Sequence, residues 1–212
     1  MDGYINCDVY PGPTVDLIFD CQKPWPFKDN SASNIYCSHT LEHLQDHVAF
    51  FKHAWRILRP MGEILIRVPH GNSSAAMADM THLRPWFPTS FASLQPGYHE
   101  VARGNHYNDD SFPYWVIDSL VVIPGWLAKL CRYPFGMRLA WWMVAHIFDI
   151  AGELWVILQK TSNSSPSVGR NAGYVPVSLG CWKSSMEGER LGAGSMDVMI
   201  RISSATKLEG WA

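Results

Sequence analysis

Lysine and arginine never gather into a run in this 212-residue chain, and charged residues of both signs make up only 17% of it. Nothing here could neutralise a row of phosphates, so nucleic acid is not an expected partner. A formal charge of −2 gives neither an acidic nor a basic partner an advantage. Paired cysteines are absent too. Cys7, Cys21, Cys37, Cys131 and Cys181 are odd in number, scattered, and without a C-x-x-C spacing. This argues against a cysteine zinc site, a dithiol redox motif or a disulfide framework, and leaves free thiols in a reducing compartment. The start, Met1-Asp2-Gly3-Tyr4, lacks the basic region and apolar run of a secretory leader, so a cytoplasmic location is expected. Only Leu139 to Leu158 is long enough to span a bilayer, and Asp149, Gly152 and Glu153 interrupt it. An acidic residue at mid-helix costs roughly 2.5–3.5 kcal/mol on insertion. No transmembrane span is expected, and the stretch reads as buried domain structure or as a partly exposed apolar surface.

Apolar material is plentiful: 47% of the residues are hydrophobic, enough for one sizeable core. Gly3 to Val9 reads as a strand ended by Pro11-Gly12-Pro13, and Val15 to Phe19 as a buried strand emptying into a loop with Pro24 and Pro26. Asn34 to Cys37 is a third short strand. From Asp46, the spacing of Val48, Phe51, Trp55 and Leu58 predicts a helix with those residues on one face, stopped by Pro60 and Gly62. Gly62 to Val68 is the next strand. Beyond it come a short helix over Pro88 to Leu94, a strand over Trp115 to Ile123, a largely helical stretch over Trp126 to Ile150 and a last strand over Leu154 to Gln159. The final two strands are candidates for antiparallel neighbours at a sheet edge. Strands separated by helices predict an α/β domain with parallel pairing. From Thr161 the composition turns to Ser, Gly and Asn, so residues 1–160 are the expected domain and residues 161–212 a poorly ordered tail, in which Val198 to Ile202 is an isolated apolar patch.

Three segments occur in order: Gly3-Tyr4-Ile5-Asn6-Cys7-Asp8, then Pro24-Trp25-Pro26-Phe27-Lys28-Asp29-Asn30-Ser31, then Cys37-Ser38-His39-Thr40-Leu41-Glu42-His43-Leu44. Leu58-Arg59-Pro60-Met61-Gly62-Glu63, Thr81-His82-Leu83-Arg84-Pro85-Trp86 and Glu153-Leu154-Trp155-Val156 follow. This set resembles the class I S-adenosylmethionine-dependent methyltransferases of the methyltransferase type 11-like family over about Gly3 to Lys160, with Met61 standing where that family has a glycine. The resemblance implies a Rossmann-like sheet, S-adenosylmethionine as cofactor, and methyl transfer to a small-molecule or otherwise unknown acceptor.

The resemblance also implies site residues. Asp8, at a strand end, would accept both ribose hydroxyls, as an acidic residue does in dinucleotide folds. Asp20 and Cys21 would meet the adenine edge, and Ser38 and His39 would line the methionine end. His39, His70 and His82 are the candidates for a base, if the acceptor must lose a proton. Plainer roles stand beside these: Asp8 and Asp20 could each cap a turn, and Glu42 and His43 could simply open the next helix.

The family's first strand, first helix and glycine-rich loop have no counterpart, since the matching segment would precede Gly3. In the family that strand lies mid-sheet, so the resemblance implies an incomplete sheet with two bare edges. Three readings stay open: a truncated enzyme, a chain whose sheet is completed by a partner, or a decayed copy acting without cofactor. In the last case the aromatic residues Trp115, Trp126, Trp141 and Trp142 could dock a membrane or a protein. A further alternative is a zinc hydrolase, because His39-Thr40-Leu41-Glu42-His43 matches H-x-x-E-H. The strand reading of Asn34 to Cys37 puts His39 at a strand end rather than on a helical turn, so no metal ligand is assigned.

Overall fold

The computed structural model describes residues 4–96, 112–161, 178–180 and 197–202. The strands are β1 (Tyr4–Asp8), β2 (Leu17–Ile18), β3 (Ala32–Ser38), β4 (Leu58–Pro69), β5 (Tyr114–Val122), β6 (Glu153–Lys160), β7 (Ser178–Gly180) and β8 (Asp197–Ile202). The helices are α1 (His47–Ile57), α2 (Ser74–Ala78), α3 (Gly125–Leu130) and α4 (Pro134–His146), joined by two 3-10 helices, η1 (Leu41–His43) and η2 (Pro88–Leu94). All eight strands form one sheet in the order β2-β1-β8-β3-β4-β6-β5-β7. The architecture is a Rossmann-like α/β sheet in which β1 to β4 run in one direction and β6 and β8 oppose them.

Burial explains the strand signals. β3 is buried on nearly every residue, as a strand covered on both faces should be, and β6 alternates strictly along its length. The pairing of β5 with β6 is antiparallel, as expected for the last two strands. The second strand is shorter than its apolar run: only Leu17 and Ile18 pair with β1, and the Asp16 carboxylate turns back to accept the Asn6 backbone N–H at 2.8 Å.

Helix α1 starts where expected, with the Asp46 carboxylate capping Ala49 N–H at 2.8 Å. Its fully buried stripe differs from the predicted one, comprising Phe50, Phe51, Ala54 and Ile57. Val48 and Trp55 flank this stripe, and Leu58 already belongs to β4. The shift has a local cause: Trp55 is held at the rim, donating its indole N–H to the Pro113 carbonyl at 3.1 Å. Among the described residues no helix is long and apolar enough to cross a membrane. Leu139 to Leu158 splits into the end of α4, a turn in which Asp149 takes φ 65°, and β6. Met61 also has a left-handed backbone, φ 61°, a conformation natural to the glycine found there in the family.

The expectation of two bare edges is corrected. β8, from the Ser/Gly-rich stretch, lies between β1 and β3 and pairs antiparallel with both: Ile5 and Ile35 both face Ile200. The slot that the resemblance reserves for the missing first strand is therefore filled from the far end of the chain, with reversed direction. Its pattern looked isolated because its partners are about 160 to 200 residues away. Together with β7 it is described by its backbone, and the remainder of 162–212, including Cys181, lies outside the described residues.

Since β8 is hydrogen-bonded on both sides, replacing Ile200 by proline removes a ladder donor whichever neighbour receives it. We expect Ile200→Pro to lower the unfolding free energy by about 1–3 kcal/mol, the cost of leaving a ladder acceptor unsatisfied, measured by urea denaturation. Wild-type stability in that variant would show that β8 does not hold this place.

Candidate functional site

The carboxyl ends of β1 and β2 open onto a cavity of about 240 Å³ lined by Cys7 to Tyr10, by Phe19 to Gln22, and by Thr40, His43 and Leu44. This is the side of a parallel sheet where ligands generally bind. Its walls are pinned by backbone chemistry. Tyr10 N–H donates to Asp8 Oδ1 at 2.9 Å, and Gln22 N–H donates to Asp20 Oδ1 at the same distance. Both aspartates therefore cap turns as the plainer reading has it, and each still has lone pairs for a ligand, because a carboxylate offers about four. The Gln22 side chain ties this wall to the next by accepting Gln45 N–H at 2.8 Å.

The thiols here are inert. Burial pushes Cys21 and Cys7 up to about 12, helped by neighbouring aspartates, so both stay protonated at neutral pH. Of the five residues expected at the cofactor, Asp8, Asp20 and Cys21 line the cavity, whereas Ser38 and His39 do not. Ser38 is buried at the end of β3, its carbonyl accepting the Thr40 hydroxyl at 3.0 Å.

His39 instead belongs to an ion cluster behind the cavity. With φ 48°, it sends Nδ1 to Glu42 Oε1 at 3.2 Å and Nε2 to Glu153 Oε1 at 3.6 Å. The Glu153 and Glu42 carboxylates raise His39 to about 9, against the opposing effect of burial. Burial alone would raise Glu153, but hydrogen bonds from His39 and Arg67 outweigh it and hold the carboxyl down to about 2. Arg67 also grips Glu153 with two N–H groups, and the Trp155 indole donates to Oε2 at 3.1 Å. Held between two carboxylates, His39 is favoured as the imidazolium, a form that offers no lone pair to a proton or a metal. The H-x-x-E-H arrangement does not form, because His39 sits on a strand end ahead of η1 with both nitrogens engaged by carboxylates.

The other base candidates also lie off the cavity. His70 is 3% exposed, and burial lowers it to about 4. Its Nδ1 accepts Asn72 N–H at 3.2 Å. His82 turns its Nδ1 to the Ala76 carbonyl at 3.2 Å. The histidine that does reach the cavity is His43, which sequence reasoning treated as a helix opener. Phe19, Gln22 and Thr40 were also missed. Their only signal is adjacency to Asp20 and Ser38 at strand ends.

Strand order and cavity position define a Rossmann-like α/β domain with its opening at the carboxyl ends of its parallel strands. Residues 11–66 match the family model described as methyltransferase domain. Similar solved structures include the cyclase SpnF, at 16% identity over 71% of this chain and 58% of that one, with a TM-score of 0.42. The YcgJ protein of Bacillus subtilis is 12% identical over 71% and 74%, TM-score 0.41. A SAM-dependent methyltransferase from Archaeoglobus fulgidus is 13% identical over 69% and 68%, TM-score 0.43. The chain thus spans 58% of the length of the first of these. No curated protein matches the chain.

His70 gives a pH signature. Its folded value lies below the ordinary 6.5, so only the unfolded chain takes up a proton as the pH falls. Its contribution is complete above pH 6.5, is lost progressively down to about 4, and is constant below. We expect urea midpoints to fall from pH 7 to pH 4.5 more steeply in the wild type than in His70→Gln. Equal slopes would contradict a neutral, buried His70.

Proposed function

We propose that this chain transfers a methyl group from S-adenosylmethionine to an acceptor of the small-molecule kind. The observation that carries the reading is the gathering of Asp8, Asp20 and Cys21 around one cavity at the ends of neighbouring parallel strands. The residues fit the nucleoside half of the cofactor. The Asp8 carboxylate has lone pairs beyond the Tyr10 N–H for ribose hydroxyls, Asp20 and the Cys21 edge suit the adenine amine, and Phe19 offers an apolar wall. A cavity of about 240 Å³ falls below the roughly 300–1,000 Å³ of drug-sized sites, which suits a nucleoside rather than the whole molecule. Ser38 and His39, at the end of β3, are the neighbouring groups proposed for the methionine end. When bound, S-adenosylmethionine supplies an electrophilic methyl on a sulfonium. The protein's work is to hold and orient the reactants and to exclude water. The free thiols of Cys7, Cys21, Cys37 and Cys131 accord with a cytoplasmic setting.

Isothermal titration of the chain with S-adenosylmethionine and its demethylated product tests this. We expect binding of both, weakened about 10-fold or more in Asp8→Asn, as loss of a charge-assisted hydrogen bond implies. Absence of heat with either ligand would overturn the assignment.

A second, non-enzymatic reading is favoured by one observation. Helices α3 and α4 and their flanks expose Trp126, Tyr133, Phe135, Trp142 and Phe148, each more than half accessible. Such a set of large aromatics suits docking to a lipid interface. On this reading, co-sedimentation with liposomes is expected to fall several-fold in a Trp126→Ala, Trp142→Ala double variant. A chain that stays in the supernatant at every lipid concentration would dismiss it.

A further inference from the structure

Beside the cavity, Glu42 and His43 of η1 meet His82 of the loop after α2, and one ligand atom of each lies within 4.8 Å of the others. The protonation of both imidazoles follows from their neighbours. His82 Nδ1 faces a carbonyl, Ala76 O, at 3.2 Å, so in the neutral ring Nδ1 carries the proton and Nε2 the lone pair. Thr81 Oγ1 lies 2.7 Å from Asp79 Oδ1 and 2.9 Å from His43 Nδ1. The hydroxyl has one hydrogen and gives it to the carboxylate, so it accepts from His43 Nδ1–H and leaves the lone pair on Nε2. A backbone carbonyl on one histidine and an oriented hydroxyl on the other form the outer layer that metal-binding histidines usually have.

Glu42 supplies the independent observation. Its side chain is 2% exposed, Oε1 is engaged by His39, and the buried Oε2 has no hydrogen-bond partner among the described residues. An unsatisfied buried oxygen costs about 1–3 kcal/mol and calls for a partner. A carboxylate oxygen of this same residue clusters with two imidazoles, a donor set that suits a cation. Asp79 Oδ2, 3.8 Å from His82 Nε2, is near enough to be a fourth ligand or to yield that position to water.

We propose that Glu42, His43 and His82 bind one zinc ion. Two nitrogens and a carboxylate oxygen form a borderline donor set suited to it. Ligands on tetrahedral zinc stand about 3.3–3.5 Å apart, so groups within 4.8 Å of one another close in by up to about 1.4 Å. The ion joins η1, which bears one wall of the cavity through His43, to the loop of residues 79–82. The assignment is independent of whether the cavity takes S-adenosylmethionine.

The test uses the full chain free of any histidine tag. Zinc titration is expected to give one equivalent bound, and cobalt in its place the visible absorption of a tetrahedral site. His82→Gln and His43→Gln should each weaken binding about 100-fold, and Thr81→Val about 10- to 100-fold, as outer-layer losses do. His146→Gln, on exposed α4, should bind as wild type does. Metal-free melting curves establish that each variant is folded. A wild type without stoichiometric zinc, or zinc affinity unchanged in folded His82→Gln, would overturn the proposal.

Discussion

Between β1 and β3 runs a strand of opposite direction, and among the described residues the strand ladder passes from one half of the sheet to the other through it. On one side lie β1 and β2, which carry Asp8 and lead into Asp20. On the other lie β3 and β4, from which Thr40 and His43 reach the cavity. The distance between the two walls is set by β8 together with the Gln22–Gln45 tie. A strand entering antiparallel places Asp197 opposite Ser38 and Val198 opposite Cys7 and Cys37, at the ligand-bearing end of the sheet. In the parallel arrangement implied by the family, that end would be where a strand leaves toward its glycine loop. Here it is where a strand arrives. Asp8, Asp20 and Cys21 keep their places around the cavity, while the sheet beside them is built around another chain direction.

The second organising element is the Glu153 carboxylate. By drawing in His39, Arg67 and Trp155, it joins the ends of β3, β4 and β6 under one charge. This accounts for the left-handed backbone of His39 and its place off the cavity: charge-assisted contacts with the half-buried Glu153 carboxylate and with Glu42 offset the conformational cost. It also leaves Glu42 with one oxygen facing His39 and the other unpartnered, so the ion cluster and the proposed zinc site are two sides of one side chain.

The legible parts of the molecule were those whose signal is local. Apolar runs bounded by Pro, Gly and Asp marked β1, β3, β4, β5 and β6, and the three- and four-residue spacing of apolar residues after Asp46 marked α1. Asp8, Asp20 and Cys21 were placed together by the family resemblance of the segments that hold them, and they do line one cavity. What could not be read depends on distant pairing. Nothing within Val198 to Ile202 names β1 and β3 as its neighbours. His43 and His82, 39 positions apart in the sequence, meet through a loop whose course no periodicity reports. His39 misled for the same reason, since the carboxylate that claims it is Glu153, on a strand more than a hundred residues later.

The late position of β8 sets a timetable on synthesis. At about 5–20 residues per second, roughly 10–40 s separate the emergence of β1 from that of β8, and throughout that interval β1 and β3 have no strand between them. A nascent chain in this condition offers two open ladders to any other chain at hand. The order in which the ribosome delivers its strands makes this protein a natural client for chaperones that shield unpaired backbone, and its yield on expression should depend on their supply more than its finished stability would suggest.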